Sequence, residues 1–116
     1  MKPGDVIIAT LPGAIETKVR PAVVIASDTY LVERPDVIVG ILTTKIPAAP
    51  ASTDYILVDW QEAGLRAQSC FRAYVPTLHR SNATIIGHLS RRDWIMRPSP
   101  QTRPALYRAI SRQSCS

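Results

Sequence analysis

Short apolar runs, each closed by a turn signal, recur along most of the chain. Asp5 to Leu11 opens behind Gly4 and closes at Pro12-Gly13, which reads as a first strand ended by a turn. A polar loop, Pro12 to Val19, carries Glu16 and Lys18 and feeds a second strand, Pro21 to Ser27. Its successive apolar residues, Ala22 to Ala26, are too few for a helix and rich in β-branched side chains, so burial on both faces is expected. Pro21 lacks an N–H and fixes its own φ, which suits the first residue of a strand and disfavours helical geometry at Arg20. A guanidinium is thereby expected at the strand's mouth.

Asp28-Thr29-Tyr30 and Glu33-Arg34-Pro35 read as a second loop, after which a third strand runs from Asp36 to Leu42 and stops at Thr43-Thr44-Lys45. Pro47 and Pro50 make Ile46 to Thr53 an irregular connection. Tyr55 to Val58 forms a fourth strand, Asp59 to Gly64 a turn or one helical turn, Ser69 to Val75 a fifth strand, Thr77 to Ser81 a polar stretch and Ala83 to Leu89 a sixth strand. Ser90 with Asp93 three residues on opens a helix, which Pro98, Pro100 and Pro104 interrupt and Ala105 to Arg112 can restart. Strands first and helix last is the pattern of a mainly β domain: a small antiparallel barrel or sandwich with a C-terminal helix beside it.

A chain of 116 residues is one domain's worth, so residues 1–116 are expected to form a single unit. Its net charge of +5 permits an anionic partner such as nucleic acid. Cys70 and Cys115 make no disulfide framework, and no paired Cys/His spacing suggests zinc, so no structural metal or cofactor is expected. There is no apolar run of signal-peptide or membrane-spanning length, and the chain reads as soluble and cytoplasmic.

No Gly-rich phosphate loop, metal cluster, nucleophile elbow or kinase signature is present, which removes most common enzyme classes. What remains is a set of polar residues at strand ends. Glu16 and Arg20 precede the second strand, Thr43, Thr44 and Lys45 end the third, and Arg72 lies within the fifth. Brought together, they make a cationic pocket with hydroxyl donors and one carboxylate, which suits a phosphodiester. RNA cleavage needs no metal, because the substrate's 2′-hydroxyl can attack the neighbouring phosphorus if one group takes its proton and others stabilise the phosphorane. Glu16 could take that proton, Arg20 bind the equatorial oxygens through its fork of donors, and Thr43 donate a further hydrogen bond. A bland reading stands beside each assignment: Arg20 as an ion-pair partner of Glu16, Thr43 and Thr44 as β-formers. His79 and His88 invite comparison with an acid/base pair or pack structurally, and Tyr30, Trp60, Phe71, Tyr74 and Trp94 could stack on bases or fill the core.

Gly4-Asp5-Val6-Ile7, Arg20-Pro21-Ala22-Val23-Val24-Ile25 with Ser27, and Val37-Ile38-Val39 leading to Leu42-Thr43-Thr44 together closely resemble the PemK/MazF-like toxins of type II toxin-antitoxin modules. Gly64-Leu65, Ser69 to Arg72, Thr84-Ile85 and Ile86-Gly87-His88-Leu89-Ser90 with Asp93 extend the likeness over roughly residues 3 to 95. The resemblance implies an SH3-like barrel, a homodimer, and a metal-independent endoribonuclease acting on single-stranded RNA such as mRNA under the control of a cognate antitoxin. It implies Arg20 and Thr43 as the catalytic pair with Glu16 as the loop glutamate; beside them, Lys18, Thr44, Lys45 and Arg72 are expected to bind the RNA strand. Some members place Arg and Asp two apart in the fifth strand; Arg72 matches the first, but Tyr74 stands where the carboxylate would be. The rival readings are a barrel module that binds a protein target, such as a topoisomerase, and a degenerate toxin that only binds nucleic acid.

Overall fold

The computed structural model describes residues 1–12, 17–46, 48, 54–72 and 75–96. Along them run β1 (Asp5–Pro12), β2 (Thr17–Val24), helix α1 (Asp28–Glu33), β3 (Asp36–Thr43), β4 (Tyr55–Ile56), β5 (Cys70–Phe71), β6 (Thr77–His79), a 3₁₀ turn (Arg80–Asn82), β7 (Thr84–His88) and helix α2 (Arg91–Met96). The strands form one sheet in the order β4-β5-β3-β2-β1-β7, with β6 joined to β3, and each pairing is antiparallel. The expected mainly β, antiparallel class is what the chain adopts. Among the described residues no ladder joins β7 to β4, so the sheet is open along this path.

The second strand begins earlier than its apolar run suggested. β2 starts at Thr17, so Arg20 lies within it rather than at its mouth, opposite Ala9 of β1. Pro21 is therefore internal. The ladder from β2 to β3 starts only at Ala22, so Pro21 stands where β2 is paired on one side alone, a position that tolerates a missing N–H.

The stretch read as a loop after Ser27 is a helix of about one and a half turns, too short to show the periodicity that betrays a helix in a sequence. Ser27 Oγ caps it by accepting from Tyr30 N at 3.1 Å. Pro35 follows its end, and Arg80 donates to the carbonyls of Leu31 and Arg34 that the last turn leaves unpaired. Its buried residues, Tyr30 and Leu31, join the core, and the Tyr30 hydroxyl donates to Asp36. Thr77 to His79, read as polar connection, pairs with Asp36 to Ile38 as β6. β4 and β5 are shorter than expected: Val58 N and Asp59 N turn to the Asp93 carboxylate instead of a neighbouring strand. The proposed helical restart, Ala105 to Arg112, lies outside the described residues, as do Ala73 and Tyr74 of the expected fifth strand.

The core is the paired faces of β1, β2 and β3 with Leu57, Phe71 and Leu89. Gly40 makes room for Phe71: a Cβ there would come within 2.2 Å of the ring. α2 opens at Ser90 as expected, with Asp93 N donating to Ser90 Oγ at 3.1 Å. The Asp93 side chain does not return to its own cap. It is fully buried and accepts from the Tyr55 hydroxyl at 2.7 Å, Val58 N at 2.9 Å and Asp59 N at 2.8 Å, tying α2 to the segment after β4. Around it, Asp59 accepts from Ser90 Oγ at 2.6 Å and pairs with Arg92.

Candidate functional site

Strand register determines which polar residues share a face. β2 and β3 pair Ala22 with Ile41, Val23 with Gly40 and Val24 with Val39. Carried two residues past its last pair, the same register sets Arg20 opposite Thr43, on the face that carries Ala22 and Ile41. β5 pairs Cys70 with Thr43 on the other edge of β3. The extended register lines the paired Ala9 and Arg20 up with the paired Thr43, Cys70 and Ile56, with Ala9 and Cys70 buried and Arg20 and Thr43 half-buried. Arg20 and Thr43 occur at the rim of the core, where the paired β2 and β3 come apart.

Arg20 lies on a face whose next residue inward, Ala22, is completely buried, whereas Val19 on the opposite face is 69% exposed. The consequence for Arg20 is that its Nε is shielded from solvent and has no hydrogen-bond partner among the described residues. A buried donor without an acceptor costs on the order of 1–3 kcal/mol, more on a charged group, and an anion arriving at the rim would recover it. Thr43 is held by its own turn: Oγ1 accepts from Lys45 N at 3.2 Å, which directs the hydroxyl proton away from that backbone and leaves it to donate. The Cys70 thiol beneath is pushed up from its ordinary value, by burial first and by the Asp54 charge second, so it is a neutral packing group.

Thr44 and Lys45 follow Thr43 and are exposed. Lys18 lies in β2 opposite Leu11, and Glu16 lies outside the described residues. Arg72 is exposed, with its backbone N donating to Ile41 O at 3.0 Å, and its Nε stands 4.0 Å from Asp54 Oδ1. Asp54 is a residue that the sequence did not single out. Only the register of β4 on β5, which no local pattern reports, brings it beside Arg72.

The two histidines are elsewhere. His79 Nδ1 pairs with Ser81 beyond the opposite end of β3, and His88 Nδ1 lies 2.8 Å from Asp5 Oδ1, at the start of β1 and four residues from Ala9. Tyr30 and Phe71 are buried and Trp60 and Trp94 pack against the core, so the structure uses these aromatics as packing groups. Among the described residues no cluster of three His, Cys, Asp or Glu could hold a metal, and no helix is long and apolar enough to cross a membrane.

The sequence model of the PemK-like, MazF-like toxins of type II toxin-antitoxin systems matches residues 2–95. The chain belongs to this family. Similar solved structures agree on the fold. The Mycobacterium tuberculosis toxin MazF-mt6 is 21% identical, with a TM-score of 0.62 over 94% of each chain. A MazE-MazF structure from Deinococcus radiodurans is 14% identical, with a TM-score of 0.65 over 96% of each chain. An endoribonuclease from a mycobacterial species, solved in complex with its cognate antitoxin, is 17% identical, with a TM-score of 0.59 over 97% of this chain and 93% of that one. No curated protein matches significantly.

Proposed function

We propose that the protein is the toxin of a toxin-antitoxin pair and cleaves single-stranded RNA, with Arg20 and Thr43 holding the scissile phosphate. The observation that carries this reading is the half-buried Arg20 guanidinium, whose shielded Nε has no acceptor among the described residues, set by the extended β2–β3 register opposite a Thr43 hydroxyl free to donate. Such donors in a partly dehydrated rim are worth more than in water and need little reorganisation when charge develops.

In the reaction, the 2′-oxygen forms a bond to phosphorus and the bond from phosphorus to the 5′-oxygen breaks, leaving a 2′,3′-cyclic phosphate and a 5′-hydroxyl. The 2′-hydroxyl proton passes to a general base, for which Glu16 is the candidate, and the leaving 5′-oxygen takes a proton from solvent water. Arg20 binds the non-bridging oxygens and Thr43 donates to one of them. Arg20 is not itself a proton donor, since a guanidinium stays charged at ordinary pH. Lys18, Thr44, Lys45 and Arg72 bind the flanking strand, which net positive charge draws in. The acting form is a cytoplasmic homodimer, silenced by a cognate antitoxin.

The test is cleavage of a long single-stranded RNA in EDTA by antitoxin-free protein, with cut sites mapped by primer extension. Cleavage that persists in EDTA and vanishes in Arg20→Ala supports the reading. Intact RNA under conditions where a control toxin cuts would remove it and leave a binding module.

A further inference from the structure

Asp54 is the one carboxylate that the described residues place in the rows around Arg20 and Thr43. β4 and β5 pair Tyr55 with Phe71 and Ile56 with Cys70, so one step outward the register sets Asp54 opposite Arg72. The side chains meet there, with Arg72 Nε 4.0 Å from Asp54 Oδ1. On its other side Arg72 is anchored to β3 by the hydrogen bond from its N–H to Ile41 O. Asp54, Arg72, Ile41 and Ala22 thus make a second row, two residues along from the row of Cys70, Thr43 and Arg20 and on the same face.

The two partners are unequal. The Asp54 side chain is only 9% exposed, while that of Arg72 is 61% exposed. The carboxylate is therefore a fixed post and the guanidinium the group that meets solvent. A separation of 4.0 Å is electrostatic contact rather than a hydrogen bond, so the pairing orients the guanidinium without engaging Nε as a donor to this carboxylate oxygen. Sheet spacings put the Cα of Arg72 about 8 Å from that of Thr43 and about 12 Å from that of Arg20. At that separation two arginine side chains reach neighbouring phosphates of one strand.

We infer that Asp54 is a positioning residue, which holds Arg72 against the phosphate next to the scissile one. The inference rests on the ribonuclease reading for the identity of the strand, but the clamp itself is a statement about binding. Counting charge alone gives the opposite expectation: removing a carboxylate from a surface that binds a polyanion should tighten binding. Loss of an oriented guanidinium should loosen it instead.

The experiment is a double-mutant cycle of Asp54→Asn and Arg72→Ala, read as KM and kcat on a single-stranded RNA and as Kd for a non-cleavable 2′-O-methyl RNA oligonucleotide. Each single variant should raise KM and Kd about tenfold, the size of one charge-assisted contact, with kcat within about twofold. The double variant should be no worse than Arg72→Ala, and Arg72→Ala should lower the salt slope of binding by about one. Tighter or unchanged binding in Asp54→Asn overturns the inference, as does an equal loss with and without Arg72. Should Asp54→Asn fail to fold, Asp54→Glu makes the same comparison, shifting KM in the presence of Arg72 alone. If the wild-type protein cuts no RNA while the Kd cycle behaves as expected, the ribonuclease reading falls and the clamp stands.

Discussion

Carried two residues past its last pair, Ala22 with Ile41, the register of β2 on β3 sets Arg20 opposite Thr43. The two residues are 23 positions apart in sequence, and what brings them together is a register set by apolar residues on either side. The ladder supplies the precision: a one-residue slip would send Arg20 and Thr43 to opposite faces.

Thr43 offers the cleanest chemical probe. Thr43→Val keeps shape and branching but removes the donor, and cleavage under single-turnover conditions should fall about 10²- to 10³-fold. Thr43→Ser should keep most of the rate. Equal rates for Val and Ser would mean that the hydroxyl plays no part.

Asp93 should matter to stability far more than to chemistry. Asp93→Ala leaves the N–H groups of Val58 and Asp59 and the Tyr55 hydroxyl without their acceptor, at an expected loss of about 3 kcal/mol or more in urea unfolding. Tyr55→Phe, which removes one of the three donors, should cost about 1 kcal/mol. A loss below 1 kcal/mol for Asp93→Ala would show that α2 is not held through this residue.

Gly40 and Phe71 form a packing pair. Gly40→Ala drives a methyl into the Phe71 ring and should cost about 1–3 kcal/mol. Phe71→Leu in the same background should return part of that loss, as measured by the coupling in a thermal-unfolding cycle. Simple additivity of the two changes would contradict the contact.

The pH dependence of stability has two arms. Burial and then the carboxylate partners, Asp36 for Tyr30 and Asp93 for Tyr55, raise both phenols to about 12 from an ordinary 10.0. A raised phenol is stabilised in its neutral form, so that contribution is fully present below pH 10 and lost as pH climbs through 12. On the acid side, the Tyr30 hydroxyl lowers Asp36, and Arg92 and Ser90 lower Asp59, from the ordinary 3.8. These contributions are present above that value and lost as pH falls below it. Tyr30→Phe should shrink both arms of a pH-stability curve; an unchanged curve would contradict the pairing with Asp36.

Much of the candidate site is legible because it is written locally. Arg20 before Pro21 and Thr43 after an apolar run are visible one strand at a time, and the resemblance joined them. Asp54 was not legible, since its meeting with Arg72 depends on how a two-residue β4 pairs with a two-residue β5. Ser90 marks the cap of α2 locally, but a spacing of three residues cannot show that the Asp93 carboxylate turns to β4. α1 is hidden for a different reason: six residues hold too few turns for a hydrophobic stripe, and only Ser27 and Pro35 mark its ends.

The most direct measurement is the cleavage of one long single-stranded RNA in EDTA by wild-type protein and by Arg20→Ala, with the unfolding free energy of both determined in parallel. Wild-type cutting at discrete sites, a loss of at least about a hundredfold in Arg20→Ala, and stabilities within about 1 kcal/mol are expected. Equal cleavage by the two proteins, or a variant that loses activity only because it unfolds, would contradict a role for Arg20 at the scissile phosphate.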